Sequence, residues 1–351
     1  MEDQNQGYTQ DQGMEQFYKL ESAPKNKKKG RIRNGLKIWL IIVLCIAAFA
    51  IITGVAVKEL FSDPVATTPT ESYIGILYVE GVIARGNVDS WGRAVDYQHD
   101  FTLDTIDELI MDEKNKGLIL YIDSPGGGVY ESDELYFKIK EYQEQTGRPV
   151  YSYMASMAAS GGYYISAPTD MIFANRNCWT GSIGVTIGTL YDISDFLENY
   201  GIHATTITAG RNKAMGSVVD PLTGEQLAIF QSLVDEAYWQ FINIVAEGRE
   251  MDIERVRELS DGRIYTAEQA LNNGLIDAIS AYGGAVHHMA DTYGLEDALL
   301  YDIYYQDTNF MGWLFSELPL FQKSGSDAEA VLSLIRNDVE FPISYICEML
   351  K

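Results

Sequence analysis

Residues 117–129 read GLILYIDSPGGGV. Gly117 to Asp123 is a short, almost wholly apolar run, the composition of a strand covered on both faces of a sheet. Gly126, Gly127 and Gly128 then let the backbone turn sharply, and a helical pattern follows from Val129 to residue 145. Strand, glycine turn and helix make one unit of an α/β fold. Amides clustered before a helix start suit an anion, either a phosphate or a transition-state oxyanion, although a plain tight turn uses the same residues. The Lys-Ser/Thr pair of a phosphate-binding P-loop is missing.

The alternation continues outward. YIGILYVEGVI (73–83) reads as a strand pair or one bent strand, and TLDTIDELIMDEKNK (102–116) has apolar residues at 103, 106, 109 and 110, helical spacing. The pattern predicts strands at 149–155, 171–174 and 203–209. It predicts helices at 129–145, from near Ser160, and at 189–201, 223–248, 252–260, 266–273 and 284–293. Residues 73–307 thus read as one α/β domain with functional loops at its strand ends. Past ALLYDIYYQD (298–307) the pattern breaks, and residues 308–351 form a carboxyl-terminal tail of undefined role. Its apolar end, FPISYICEML, has three places open to it: a substrate groove of its own or a neighbouring chain, the domain surface, or a membrane.

The amino-terminal side differs in kind. IWLIIVLCIAAFAIITGVAV (38–57) is 20 residues without a charge. As a helix rising ~1.5 Å per residue it would cover ~30 Å, the hydrocarbon thickness of a bilayer. A signal-peptide core runs ~7–15 residues, so the length favours a transmembrane helix over a cleaved signal or a buried core helix. Seven basic residues stand between Lys25 and Lys37, whereas Lys58 is followed by Glu59 and Asp63. The positive-inside rule then keeps the amino terminus cytoplasmic and the large domain outside the cell membrane. Residues 1–37 read as a disordered, basic cytoplasmic segment and 58–72 as a linker.

Charge and composition exclude other classes. Residues 1–37 carry a net +3 and the whole chain −24, which leaves −27 on residues 38–351. A body this acidic repels phosphate backbones, so no nucleic-acid partner is expected. The basic run at 25–37 is better explained by topology than as a nucleic-acid patch. Cys45, Cys178 and Cys347 have no metal-ligand spacing, and His99, His203, His287 and His288 form no H-E-x-x-H pattern, so neither metal nor cofactor is expected. Pairing of Cys178 with Cys347 is left open.

The chemistry centres on SMAASGGYYIS (156–166), three serines among small residues with no histidine within 30 positions. Ser160 precedes Gly161-Gly162 and has the least bulky surroundings. At a helix start its hydroxyl is either an N-cap or a nucleophile with the Gly161 amide and one from the 126–128 loop beside it. Ser156, at the end of a predicted strand, and Ser166, inside the helix, read as structural. Lys213, in ITAGRNKAMGSVV, is the only lysine between Lys140 and Lys323. A loop lysine is ordinarily a surface charge. A buried one, however, titrates lower by up to ~3–5, which makes a base near neutral pH. Serine–lysine pairs serve where histidine is not used. In TGSIGV (180–185), Ser182 carries the kind of hydroxyl that orients such an amine.

IDSPGGGVYES, SMAASGGYYIS, TGSIGV, GRNK and DGRIYTAEQALNNGLID (261–277) occur in this order behind an expected anchor. Together they resemble the signal peptide peptidase SppA family in its short, single-repeat form, over roughly residues 70–300. The resemblance implies a serine peptidase with a ClpP/crotonase-like α/β domain of repeated ββα units, preceded by a single transmembrane helix. By position it implies Ser160 as nucleophile, Lys213 as general base, Ser182 as the group orienting the lysine, and Gly127 and Gly161 as oxyanion amides. It implies hydrophobic peptide substrates, remnant signal peptides among them, and a homo-oligomeric ring. Neighbouring subunits of such a ring can complete each active site, so Ser160 need not pair with Lys213 of its own chain. The competing functions are an acyl-CoA hydratase or isomerase of the same fold, which would use a carboxylate acid/base, and a catalytically inactive membrane scaffold.

Overall fold

The structure, a computed structural model, describes residues 69–88, 94–305 and 344–346, together with Trp39, Val43 and Leu44. The chain divides into two compact units, Met1–Thr67 and Thr68–Lys351. In the first, the expected cytoplasmic segment and most of the apolar run at 38–57 lie outside the described residues. Among the described residues no helix is long and apolar enough to cross a membrane.

The second unit begins with β1 (Tyr73–Glu80), the antiparallel pair β2 (Asn87–Val88) and β3 (Ala94–Val95), and α1 (His99–Met111). Then come β4 (Asn115–Ser124), β5 (Gly126–Gly128), α2 (Val129–Thr146), β6 (Val150–Ala159), α3 (Gly161–Ser166), β7 (Met171–Ala174) and β8 (Trp179–Gly181). The remainder is α4 (Ser194–Asn199), α5 (Gly224–Gly248), α6 (Ile253–Leu259), β9 (Ile264–Thr266), α7 (Ala267–Asn272), β10 (Ala278–Ile279), α8 (Tyr282–Tyr293), β11 (Leu299–Ile303) and, from the tail, β12 (Ser344–Ile346).

A parallel sheet in the order β10-β7-β6-β4-β1-β11 forms the centre. Strand alternation sorts its apolar residues onto two faces. Leu77, Leu118, Leu120 and Ile122 pack with Ile106 and Leu109 of α1 and Leu135 and Ile139 of α2. Ile74, Ile76, Ile119, Tyr151, Tyr153 and Phe173 pack with Ala285, Val286 and Met289 of α8. Each fully buried Leu or Ile contributes about 1.5–3 kcal/mol, so the sheet is anchored from both sides. The helix ends are marked in sequence. Thr223 with Gln226 and Thr266 with Gln269 form capping boxes that start α5 and α7, and Gly147 closes α2 in the left-handed conformation.

Four sequence expectations change. The helix expected over 102–116 ends at Met111, and Asn115 already opens β4. β6 runs four residues past 155, which puts Ser156 inside the strand rather than at its end. The helix expected over 189–201 shrinks to Ser194–Asn199. Residues 203–209 form no strand: all are exposed, Ile207 almost completely, and none pairs with a strand among the described residues. Alternating β-branched residues make a strand only when an edge is available to satisfy their amides.

At the base of the sheet, fully buried Asn115 joins three elements. Its Oδ1 accepts from Tyr142 Oη and Arg148 Nη1, and its Nδ2 donates to the Gly117 carbonyl at 3.0 Å. Asn115→Ala strands the buried Tyr142 hydroxyl. It is expected to lower unfolding free energy by about 1–3 kcal/mol in denaturant titration, with the m-value unchanged.

Candidate active site

β4 and β6 are neighbours in the sheet, and each is followed at its carboxyl end by a turn and a helix. This is where open α/β sheets present their binding crevice. The two turns are the glycine loop and Ser160.

The glycine loop is fixed by backbone contacts with Ile83 and by the Gly126 amide, which donates to Ser124 Oγ at 3.1 Å. Ile83 N donates to the Gly126 carbonyl at 2.8 Å, and Gly128 N donates to the Ile83 carbonyl at 2.9 Å. Successive residues of an extended chain direct their amides to opposite sides, so Gly127 turns its N–H and C=O away from Ile83. A Cβ on Gly127 would lie 1.9 Å from the Ile83 carbonyl oxygen, which leaves glycine as the only residue that fits. On the side toward which Gly127 points, β12 pairs antiparallel with β5, Tyr345 opposite Gly127. One strand of the tail thus runs along the glycine loop. The rest of 306–351 lies outside the described residues.

Ser160 links β6 to α3 with φ 54° and ψ −116°, a conformation that costs an L-residue energy and persists only where its surroundings enforce it. Its amide donates to the Gly181 carbonyl at 2.7 Å, and its carbonyl accepts from Tyr164 N at 2.9 Å. Although it stands at the N-cap position, its side chain makes no capping hydrogen bond. The other two serines are committed elsewhere: Ser156 Oγ donates to Asp123 Oδ1, and Ser166 Oγ to the Gly162 carbonyl at 2.8 Å. Gly161 lies against the glycine loop, with a Cβ built on it only 3.1 Å from Gly127 N. The structure therefore brings Ser160, Gly161 and Gly127 together.

α3 is held from behind. Tyr164 Oη donates to Asp133 Oδ1 at 2.6 Å, and Gln240 Nε2 donates to both at 2.7 Å, tying α3 to α2 and α5. These three positions carried no sequence signal, because they are neighbours only through the fold.

Ser182 follows Gly181 with φ 49°, its amide donating to the Arg263 carbonyl at 2.8 Å. It opens onto a cavity of about 850 Å³ with Val185, Val234, Tyr238, Asp235 and Ile264 on its walls. Lys213 is placed differently. It is exposed in a turn whose amide bonds back to Gly210, and no hydrogen bond or ion pair of its side chain reaches Ser160 or Ser182 within this chain among the described residues. Earlier in the same segment, Leu190, Tyr191, Ile193, Phe196, Tyr200 and Ile207 are all exposed.

Other nucleophile and base types are accounted for. Cys178 is a buried free thiol whose pKa desolvation pushes up to about 12. His99 is buried, with Tyr97 Oη 2.7 Å from Nδ1 and Glu134 Oε2 2.9 Å from Nε2, while His203, His287 and His288 are exposed.

A strained serine at a strand-to-helix turn, with glycine amides converging beside it, is the working frame of an α/β serine hydrolase. Comparison with known proteins narrows the class. Residues 142–296 match the model of peptidase family S49. A protein of Enterococcus faecium named as a signal peptide peptidase SppA is 37% identical over 247 residues, 70% of this chain and 71% of that protein. A protein of Synechocystis sp. named as a protease is 35% identical over 65% of this chain and 77% of its own length. Protease 4 of Haemophilus influenzae is 33% identical over 61% of this chain but only 34% of its own. The chain belongs to peptidase family S49, among the SppA-like serine peptidases.

Gly127→Ala forces the loop off Ile83. The variant is expected to lose about 1–3 kcal/mol of stability. It should also lose peptidase activity at temperatures where circular dichroism shows it still folded, because the Gly127 amide is re-aimed.

Proposed function

We propose that the protein is a membrane-anchored endopeptidase that hydrolyses hydrophobic peptides, remnant signal peptides among them, with Ser160 as nucleophile and Lys213 as base. The observation that carries this reading is the strained, uncapped Ser160 held beside the amides of Gly161 and Gly127. Lys213, as a free amine oriented by Ser182, takes the proton of Ser160 Oγ, which attacks the peptide carbonyl carbon. The carbonyl electrons move onto oxygen, where the Gly127 and Gly161 amides hold the charge. Collapse breaks the C–N bond, the leaving amine takes the proton from the lysine, and water then releases the acyl group from Ser160. Peptide binding by strand addition fits the glycine loop, since β12 pairs with β5 in this way.

The base reaches Ser160 from a neighbouring copy in a ring. Two features support this part of the proposal: Lys213 is exposed and unpaired with Ser160 in its own chain among the described residues, and the segment leading to it carries several exposed apolar side chains. The anchor is residues 38–57, with the amino terminus cytoplasmic and the catalytic domain outside the cell membrane.

A serine-reactive fluorophosphonate separates the readings. Wild-type chain is expected to be labelled, and Ser160→Ala is expected to lose the label and at least ~10³-fold in hydrolysis of a fluorogenic apolar peptide. Retained hydrolysis in Ser160→Ala would remove Ser160 as the nucleophile, and an unlabelled wild type inert toward the peptide would point to the acyl-CoA class or a scaffold. Lys213→Ala should be folded and equally inert. Mixing it with Ser160→Ala should restore activity in assemblies that carry one intact Ser160 facing one intact Lys213. No recovery on mixing places both groups in one chain.

The tail strand on the glycine loop leads to one more expectation. Deleting residues 338–351 should raise the initial rate on peptide substrates severalfold, because β12 occupies the edge that a substrate would pair with. An unchanged rate would show that β12 does not compete.

A further inference from the structure

Three buried side-chain atoms among the described residues have no hydrogen-bond partner: Ser132 Oγ, Gln143 Oε1 and Tyr282 Oη. Ser132 is the one that touches the site. It stands in the first turns of α2 and is fully buried. A Cβ built on Gly161 would lie 2.6 Å from Ser132 Oγ, 3.1 Å from Gly127 N and 3.2 Å from Gly126 Cα. Ser132 Oγ and the Gly127 nitrogen thus both lie against Gly161, on the side where a Cβ would stand.

Stability does not account for a serine at this position. Alanine fits the same backbone, is the better helix former, and leaves no buried hydroxyl unpaired. A group that weakens the fold where both oxyanion glycines meet calls for a functional reason.

We propose that Ser132 is a third hydrogen-bond donor of the oxyanion site, unpaired until the substrate carbonyl oxygen becomes the tetrahedral oxyanion. This rests on the reading of Ser160 as the nucleophile. Ser132 keeps its proton throughout. The new bond is Ser160 Oγ to carbonyl carbon, the displaced electron pair resides on the carbonyl oxygen, and the Ser132 hydroxyl only donates a hydrogen bond to it. A donor satisfied only at that stage raises kcat and leaves ground-state binding untouched.

The test uses the full chain in detergent, with kinetics on a fluorogenic apolar peptide, fluorophosphonate labelling and thermal melting. Ser132→Ala is expected to lower kcat by about 10- to 100-fold with KM unchanged and the melting temperature unchanged or higher. Ser132→Cys, close in size but a weak donor, should lose as much activity. A peptide aldehyde, whose hemiacetal with Ser160 carries the oxyanion, should bind more weakly to both variants by the same factor. Full kcat in Ser132→Ala overturns the proposal, and so does activity that Ser132→Cys restores, which would make the residue a spacer. Should Ser132→Ala not fold, Ser132→Cys alone decides between the two. A wild-type chain that neither hydrolyses nor labels at Ser160 defeats the peptidase reading itself. That outcome is distinct from an active wild type matched by its Ser132 variants.

Discussion

The contact on which the rest depends is between two stretches of backbone, Ile83 against Gly127. Two hydrogen bonds bracket Gly127 without using its own amide, and the approach is so close that no Cβ can enter. Extended geometry then settles where the Gly127 N–H points, toward the edge on which β12 pairs. The amide is aimed by the covalent chain rather than by a side-chain rotamer, so in the proposed reaction little freedom would remain to be lost when charge develops beside it. Ile83 in turn stands just beyond β1, after Gly81 and Val82, so the aim of one amide is tied to the register of β1 on β4.

Ser160 shows the complementary device. Its backbone sits in a region that L-residues avoid, and the structure over-determines it from three directions. The Gly181 carbonyl holds its amide, the all-buried α3 fixes the chain that follows, and the Tyr164–Asp133–Gln240 cluster locks α3 to α2 and α5. β8 has a double part here, since the residue after Gly181 is Ser182, also at positive φ. One short strand thereby places a carbonyl on the Ser160 amide and a second hydroxyl next along the chain.

The sheet was legible because its signal is local. Apolar residues in runs such as 117–123 must be covered on both sides, and helices with apolar residues at three- and four-residue spacing are what covers them. The glycine loop and Ser160 were legible as candidates from residue size, but not as a site. Whether Ser160 caps its helix or stands free depends on a backbone angle that no side-chain pattern encodes. Residues 203–209 mark the opposite limit. Their alternation is that of a strand, but strand formation is a property of pairs, and among the described residues no edge is offered to them. Ser132 fell below notice for a related reason. It reads as an ordinary polar residue of α2, and only the packing of α2 against Gly161 removes its partners.

Burial divides the proposed machinery unequally, and this has a consequence for control. Ser160, Gly127 and Gly161 are buried, whereas Lys213 stands on a segment with little regular structure and many exposed apolar side chains. A serine without a base nearby is a poor nucleophile, so under the proposed chemistry a chain folded alone would carry the oxyanion donors but lack the means to use them. If assembly is what brings lysine to serine, apolar contact between copies supplies the driving force, and activity rises with association rather than with folding. The segment's exposed apolar surface is then explained together with the separation of Lys213 from Ser160. Neither feature has an evident purpose in an isolated chain.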